Sequence, residues 1–395
     1  MRTLPPAGTQ IPGRDLLACL WRGGRAPDEE VLAKAVRAYL GVEHVLCLSQ
    51  GRAALTVALK VLAADPKKRQ VIVPSYTCYT VPASVVRAGL QVIPADIDPT
   101  TLDFDPISLE RVDCSGVLAI VSTSLYGIPG DLARLEAFAE RRGIRLIDDA
   151  AQAFGARSGN RYAGTFGQAG FFSLSRGKSI TTGDGGILVT RDSALARALR
   201  DRIEATPVAT PLHRTAEVLR LIALSVFLRP SLYGVPARLL KLGESRFEPD
   251  FSIQRYNAAL SVLGALLVGR IDKINAERRS RAAALRALLP VDERIQVPME
   301  PHGGHATYVR FPILISDSEL RERVFLRLRE LGLGVSTSYP ESVPRIPGIQ
   351  PYLASDVACP HGDRVARSIL TLPTHSLVEG QDLARIADSI ERCLR

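Results

Sequence analysis

The sequence predicts an α/β protein. A mostly parallel sheet of seven-stranded type is covered by helices on both faces, and a smaller C-terminal α/β domain follows it. Three observations lead there. Short apolar runs at 45–48, 71–73, 91–94, 117–121 and 145–147 alternate with stretches of helical periodicity. These runs are continuously apolar rather than alternating, as in strands buried on both faces. A chain of 395 residues also exceeds what one small core serves, and a second strand–helix alternation begins near residue 309.

Taken in order, residues 1–24 read as an N-terminal arm rich in proline and glycine. Residues 28–40 place Val31, Leu32, Ala35 and Val36 on one helical face. The strands named above then alternate with helices at 52–63, 81–88 and 131–142. Runs at 170–174 and 186–190 bring the strands to seven. Residues 257–289 read as a long helical region leading to the second domain. A strand at 309–315, a helix at 319–331 and a closing helix at 381–394 form that domain. The boundaries implied are 1–24 for the arm, 25–275 for the large domain and 276–395 for the small one.

Residues 206–250 interrupt the pattern. The stretch from Leu219 to Leu228 is strongly apolar, and Arg229-Pro230 and then Pro236 break it. Two readings stand: a buried or subunit-interface helix, and a peripheral membrane contact through 219–240 facing a lipid-linked substrate.

Composition bounds the rest. Apolar residues make up 46% and charged residues 23%, as in ordinary globular proteins. The formal charge is +9, but the arginines are scattered over helix faces without interleaved aromatics, so nucleic acid is not an expected partner. A basic surface suits a nucleotide-diphosphate substrate or an anionic membrane. Cys19, Cys47, Cys78, Cys114, Cys359 and Cys393 are far apart, without C-x-x-C pairs, which suits a reducing cytoplasm. The six histidines show no zinc spacing, so no metal is expected. No apolar run approaches the roughly 18–20 residues of a membrane span.

The chemistry concentrates around Lys178. An apolar strand ends at Phe171-Phe172-Ser173, a polar turn carries Lys178, and the glycines Gly183, Gly185 and Gly186 follow. About thirty residues upstream, Leu146-Ile147-Asp148-Asp149-Ala150-Ala151-Gln152 ends a strand on carboxylates. A lysine able to form a Schiff base and an acid able to hold a pyridinium nitrogen are what pyridoxal phosphate requires of a protein. Gly51 and Arg52 open a helix directly after a strand, where backbone N–H groups bind phosphate. Ser175-x-x-Lys178 also fits a β-lactamase motif, but the companions S-D-N and K-T-G are missing.

Together these segments resemble the DegT/DnrJ/EryC1/StrS family of sugar aminotransferases, within the fold-type-I pyridoxal phosphate enzymes. Ser49-Gln50-Gly51-Arg52, Val73-Pro74-Ser75-Tyr76-Thr77, Asp96-Ile97-Asp98, Tyr126-Gly127, Gly164-Thr165-Phe166-Gly167, Tyr339-Pro340 and Thr374-His375 fall in family order. The resemblance runs from about residue 10 to the end.

It implies Lys178 as the Schiff-base lysine and Asp149 as the partner of the ring nitrogen. Gln152 would sit beside the ring oxygen and Ser173 on the phosphate. Asp148, on the opposite face of its strand, is expected to cap a helix. Arg52 stands where the family most often has threonine, and two further features depart from it. Cys78 stands where an aromatic usually covers the ring, leaving Tyr76, Tyr79 or the thiol itself to pack there. Asp250 and Ser252 stand near where an Asn/Arg pair from the partner subunit is usual. The implied activity is transfer of an amino group, with glutamate as donor, to a nucleotide-linked keto-sugar in polysaccharide biosynthesis by a homodimer. Dehydratases of the same fold carry histidine in place of Lys178. A non-catalytic sensor or scaffold is the alternative that the two departures leave standing.

Overall fold

The computed structural model describes residues 2–23, 28–234, 246–355 and 357–395. Its centre is a seven-stranded sheet of β1 (His44–Leu48), β2 (Gln70–Pro74), β3 (Gln91–Ala95), β4 (Val117–Thr123), β5 (Arg145–Asp149), β8 (Ala169–Ser173) and β9 (Gly186–Thr190), in the order β1-β9-β8-β5-β4-β2-β3. Only β9 runs against its neighbours; the contiguous strands from β8 to β3 are parallel. Each strand lies within two residues of its expected position.

The continuous apolar runs reflect cores on both faces. Val45, Cys47, Ile72, Ile120, Leu146 and Phe172 pack on one side with Leu32, Val36, Leu135 and Phe138. Leu46, Leu48, Val71, Val121, Ile147 and Phe171 pack on the other with Leu55, Leu59, Val85 and Leu199. The alternation along each strand is apolar on both faces, so burial rather than polarity shapes the pattern.

Between β5 and β8 the short strand β6 (Arg157–Ser158) pairs on one side with β7 (Arg161–Tyr162) and on the other with β11 (Gly304–His305). A third sheet, β10 (Ile295–Gln296), β12 (Arg310–Ile315) and β13 (Ile369–Pro373), is antiparallel. It shares a core with the helices Ser318–Glu330 and Gly380–Leu394 through Leu320, Val324, Ile386 and Ile390. The stretch expected to be one helical region at 257–289 divides. A 3₁₀ turn at Ala258–Leu260 leads into the helix Ser261–Val268, and Gly269-Arg270 separates it from the helix Ile271–Leu288.

The apolar stretch at 219–228 forms the second half of the helix Pro211–Phe227, opened by the Thr210 side chain accepting from the His213 N–H. The buried-helix reading needs correction within the single chain. Leu221 alone is fully buried, while Leu212, Leu219, Val226 and Phe227 are exposed. Pro236 and residues 235–245 lie outside the described residues. Among the described residues no helix is long and apolar enough to cross a membrane.

The N-terminal segment has its own fixed course. Arg2 pairs with Asp382 and Glu379, Leu4 enters the core of the third sheet, and the His375 ring lies 2.8 Å from the Pro5 carbonyl. The chain then crosses to the Lys178 turn before the helix Gly13–Ala18 begins.

Candidate active site

β5 and β8 are parallel neighbours, so their C-terminal ends meet at one edge of the sheet. Asp149 ends β5. The Ser173 that ends β8 leads into the turn that carries Lys178. The turn closes where Leu174 accepts from Thr182 and donates to Gly185, and Gly177, Gly183 and Gly185 supply its positive φ angles. The residues picked out by sequence, Gly51, Arg52, Cys78, Asp149, Gln152, Ser173 and Lys178, all line one cavity of about 320 Å³.

One end of the cavity is built for an anion. The helix Gly51–Leu62 begins there with its N-terminal amides unpaired by side chains. A Cβ on Gly51 would stand 2.9 Å from the Ser173 Cβ, so only glycine brings this backbone so close. The Ser173 and Ser175 hydroxyls lie 2.8 Å apart at the same place. Arg52 is held beside them. Its Nε donates to Gln50 Oε1 at 2.6 Å, and its guanidinium lies over the Phe251 ring. Gln50 in turn donates to Asp184.

Asp149 lines the same cavity. Its Oδ1 accepts from the Ala151 N–H at 2.9 Å. Burial pushes its carboxyl up to about 7, with the Ala151 N–H and Lys178 pulling the other way and Asp148 adding to the rise. Burial likewise lowers the Lys178 amine, while Cys78 and Asp149 raise it and Arg310 lowers it further.

Asp148 is not the helix cap expected of it. It faces away from the cavity and accepts from the Ser122 hydroxyl and from the Gly164 and Phe166 N–H groups. It therefore holds the 164–167 turn against β8, where a Cβ on Gly164 would strike the Phe172 ring.

Of the candidates to cover the ring, Cys78 lines the cavity, its thiol 3.1 Å from the Thr80 hydroxyl. Tyr76 and Tyr79 turn instead to Tyr339, and the Tyr79 hydroxyl accepts from the Glu341 N–H. Gln152 links the same cluster, accepting from the Tyr126 N–H and donating to the Tyr339 hydroxyl. Asp250 is on the surface near Arg87. Ser252 lines a second cavity of about 590 Å³, which shares Gln50, Arg176 and Asp184 with the first and has the helix Pro211–Phe227 as a wall.

Sequence reading missed Ser175, Arg176 and Asp184, which line the lysine cavity. It also missed Arg310. That guanidinium reaches the Gly177-Lys178 turn, hydrogen-bonds the Ser336 hydroxyl, and has no carboxylate partner among the described residues. Ser175, Arg176 and Asp184 lie in the motif itself. Arg310 lies 132 positions away and has no local signal.

The donor set fits pyridoxal phosphate: an amide-lined notch at a helix start beside two hydroxyls, with a buried carboxylate and one lysine lining the same cavity. The fold and this site define a pyridoxal-phosphate-dependent aminotransferase. Residues 20–391 match the DegT/DnrJ/EryC1/StrS aminotransferase family, and the chain belongs to it.

The sequence is 28% identical over 376 residues to the UDP-N-acetyl-3-dehydro-alpha-D-glucosamine 3-aminotransferase of Acidithiobacillus ferrooxidans, covering 94% of this chain and 88% of that one. It is 32% identical over 333 residues to the L-glutamine:2-deoxy-scyllo-inosose aminotransferase of Streptomyces kanamyceticus, covering 83% and 72%. A pleiotropic regulatory protein of Geobacillus stearothermophilus is 25% identical over 371 residues, covering 91% and 87%. Among solved structures, the fold matches Helicobacter pylori PseC, an aminotransferase involved in the biosynthesis of pseudoaminic acid. The TM-score is 0.81 at 17% identity, covering 99% of each chain.

Proposed function

We propose that this aminotransferase moves the amino group of glutamate onto a nucleotide-linked keto-sugar. One observation carries the reading: a half-buried lysine and a buried carboxylate share a cavity with an anion notch, and that cavity continues into a larger one. Pyridoxal phosphate, when bound, supplies a carbonyl for the amine and a ring that withdraws electrons from the attached carbon.

The chain's own residues do the rest. The Gly51 and Arg52 amides with Ser173 would hold the phosphate. Asp149 would hold the ring nitrogen, its carboxyl pushed up to about 7 by burial and pulled back by the Ala151 N–H and Lys178. Gln152 would orient the ring edge, and Cys78 would fill the space beside the ring face. Lys178, with its amine biased toward the neutral form by burial, accepts and returns the proton at the substrate carbon. Arg310, a guanidinium near Lys178 with no carboxylate partner among the described residues, suits the carboxylate of the amino donor.

Two of the relatives named above act on sugar or cyclitol ketones by their names, which supports a sugar acceptor here. The glutamine in the second name makes that amide the donor to test against glutamate. The larger cavity, with Arg176, Arg220 and Tyr233 on its walls, has the volume and charge for a nucleoside diphosphate. We infer a homodimer working in the cytoplasm, the latter on six unpaired thiols. A regulatory role is the second reading, favoured by the name of the Geobacillus relative.

The visible spectrum of the holoenzyme separates the two. A band near 400–430 nm (roughly, for lysine-bound cofactor) that bleaches on adding glutamate supports transfer. A band indifferent to glutamate and glutamine would sink it. Restoration of the band by UDP-linked 3-keto-sugars, and by no free sugar, would support the acceptor class.

A further inference from the structure

The carbonyls of Lys178 and Ser179 lie in an irregular turn, and no backbone N–H among the described residues pairs with them. Ser179 is buried, so its carbonyl requires a partner from elsewhere. The partner comes from the N-terminal segment. The Thr9 hydroxyl lies 3.0 Å from the Lys178 carbonyl and 2.9 Å from that of Ser179. Arg278, on the helix Ile271–Leu288, donates from Nη2 to Thr9 Oγ1 at 3.0 Å, to the Gly8 carbonyl at 3.1 Å and to the Lys178 carbonyl at 3.4 Å.

Arg278 is 2% exposed and has no carboxylate partner among the described residues. Burial lowers its pKa to about 10, with Arg281 adding to the effect. Its Nη1 has no hydrogen-bond partner. Burying an unpaired guanidinium is costly, and what this one accomplishes is to pin Gly8 and Thr9 onto the lysine turn. The segment is anchored on its other side as well, at Arg2 by Asp382 and Glu379 and at Pro5 by His375.

We propose that Thr9 and Arg278 are positioning residues for Lys178: they fix the backbone of the reactive turn through the N-terminal strap, without touching cofactor or substrate. The inference rests on the reading of Lys178 as the reacting lysine.

The test compares full-length holoenzymes carrying Thr9→Val, Thr9→Ser and Arg278→Lys. Valine keeps the shape of threonine and removes the hydroxyl; serine keeps the hydroxyl. Thr9→Val is expected to lower kcat roughly tenfold, the equivalent of one hydrogen bond, with KM within about twofold. Amide exchange in 174–185 should quicken, because the carbonyls are released. Thr9→Ser should stay near wild type on both readouts, and Arg278→Lys should behave like Thr9→Val. Wild-type kcat and exchange in Thr9→Val would overturn the inference, as would equal damage from valine and serine. A Lys178→Ala protein that still turned over would instead defeat the underlying reading, whereas an inactive Lys178→Ala beside a normal Thr9→Val defeats the strap alone.

Discussion

Gly51 and Ser173 touch across the sheet edge: a methyl added to Gly51 would stand 2.9 Å from the Ser173 Cβ and 3.2 Å from its Oγ. The helix Gly51–Leu62 can therefore present its first amides to the cavity only while residue 51 lacks a side chain. Gly51→Ala should push the helix start off β8 and loosen the phosphate notch. Cofactor affinity is expected to fall about 10–100-fold, as for loss of charge-assisted hydrogen bonds. Absorbance titration of the apoprotein measures it. Wild-type affinity would mean that the notch does not hold the phosphate.

Lys178→Ala should abolish turnover while leaving the thermal transition nearly unchanged, because the lysine is only partly buried and contributes little to the core. Borohydride treatment of the wild-type holoenzyme should fix the cofactor to the peptide containing residue 178. A tether mapped to another lysine would overturn the assignment.

Asp148 and Asp149 make opposite predictions despite being adjacent. Asp149→Asn should release cofactor and slow turnover severely. Asp148→Asn should retain cofactor but lower stability, since an amide cannot accept from Ser122, Gly164 and Phe166 as a carboxylate does. Equal cofactor loss in both variants would place the ring on the wrong face of β5.

The apoprotein adds a pH test at Asp149. Its folded pKa, about 7, lies above the unfolded value of about 3.9. The folded state therefore binds more protons between those values, and this group's contribution to stability declines as pH rises through about 7. Apo Asp149→Asn should thus be more stable than apo wild type at pH 8.5, by up to about 4 kcal/mol. The gain should vanish near pH 4. A gain independent of pH would mean that the carboxylate is not the cause.

The parallel sheet was legible because its strands are buried on both faces, which leaves unbroken apolar runs such as 117–121. The cavity residues were legible where chemistry and backbone constraint coincide locally, as at Lys178 with its glycines. Asp148 was misread because the sequence shows a carboxylate before small residues but not the 164–167 turn that folds back onto it. The Thr9–Lys178 contact joins residues 169 apart, and Arg310 reaches Gly177 from a different sheet. Neither leaves a periodic trace. The helix Pro211–Phe227 was recognised as apolar, but its exposure depends on what packs over it, which periodicity alone does not state.

A homodimer carries its own expectation. Sedimentation of the holoenzyme should show one species near twice the chain mass of 42.8 kDa. An active monomer would remove the reason to seek a partner residue near Asp250 and Ser252, and would also leave the exposed apolar helix uncovered.

That helix gives the last prediction. Leu219 and Phe227 are exposed, whereas Leu221 is buried against Gly183 of the lysine turn. Substituting Leu221 would damage the site itself, so the informative change is Leu219→Ser with Phe227→Ser. Burial of these two side chains in a subunit interface would contribute roughly 1.5–3 kcal/mol each, enough to raise the dimer dissociation constant at least about a hundredfold. Loss of the dimer in sedimentation is therefore the expected result. If the dimer persists while binding to vesicles of phosphatidylglycerol is lost, the face docks on an anionic membrane instead, as the flanking Arg220 and Arg229 would favour. If dimer, vesicle binding and activity all match wild type, neither covering is correct and the helix is a tolerated surface insertion.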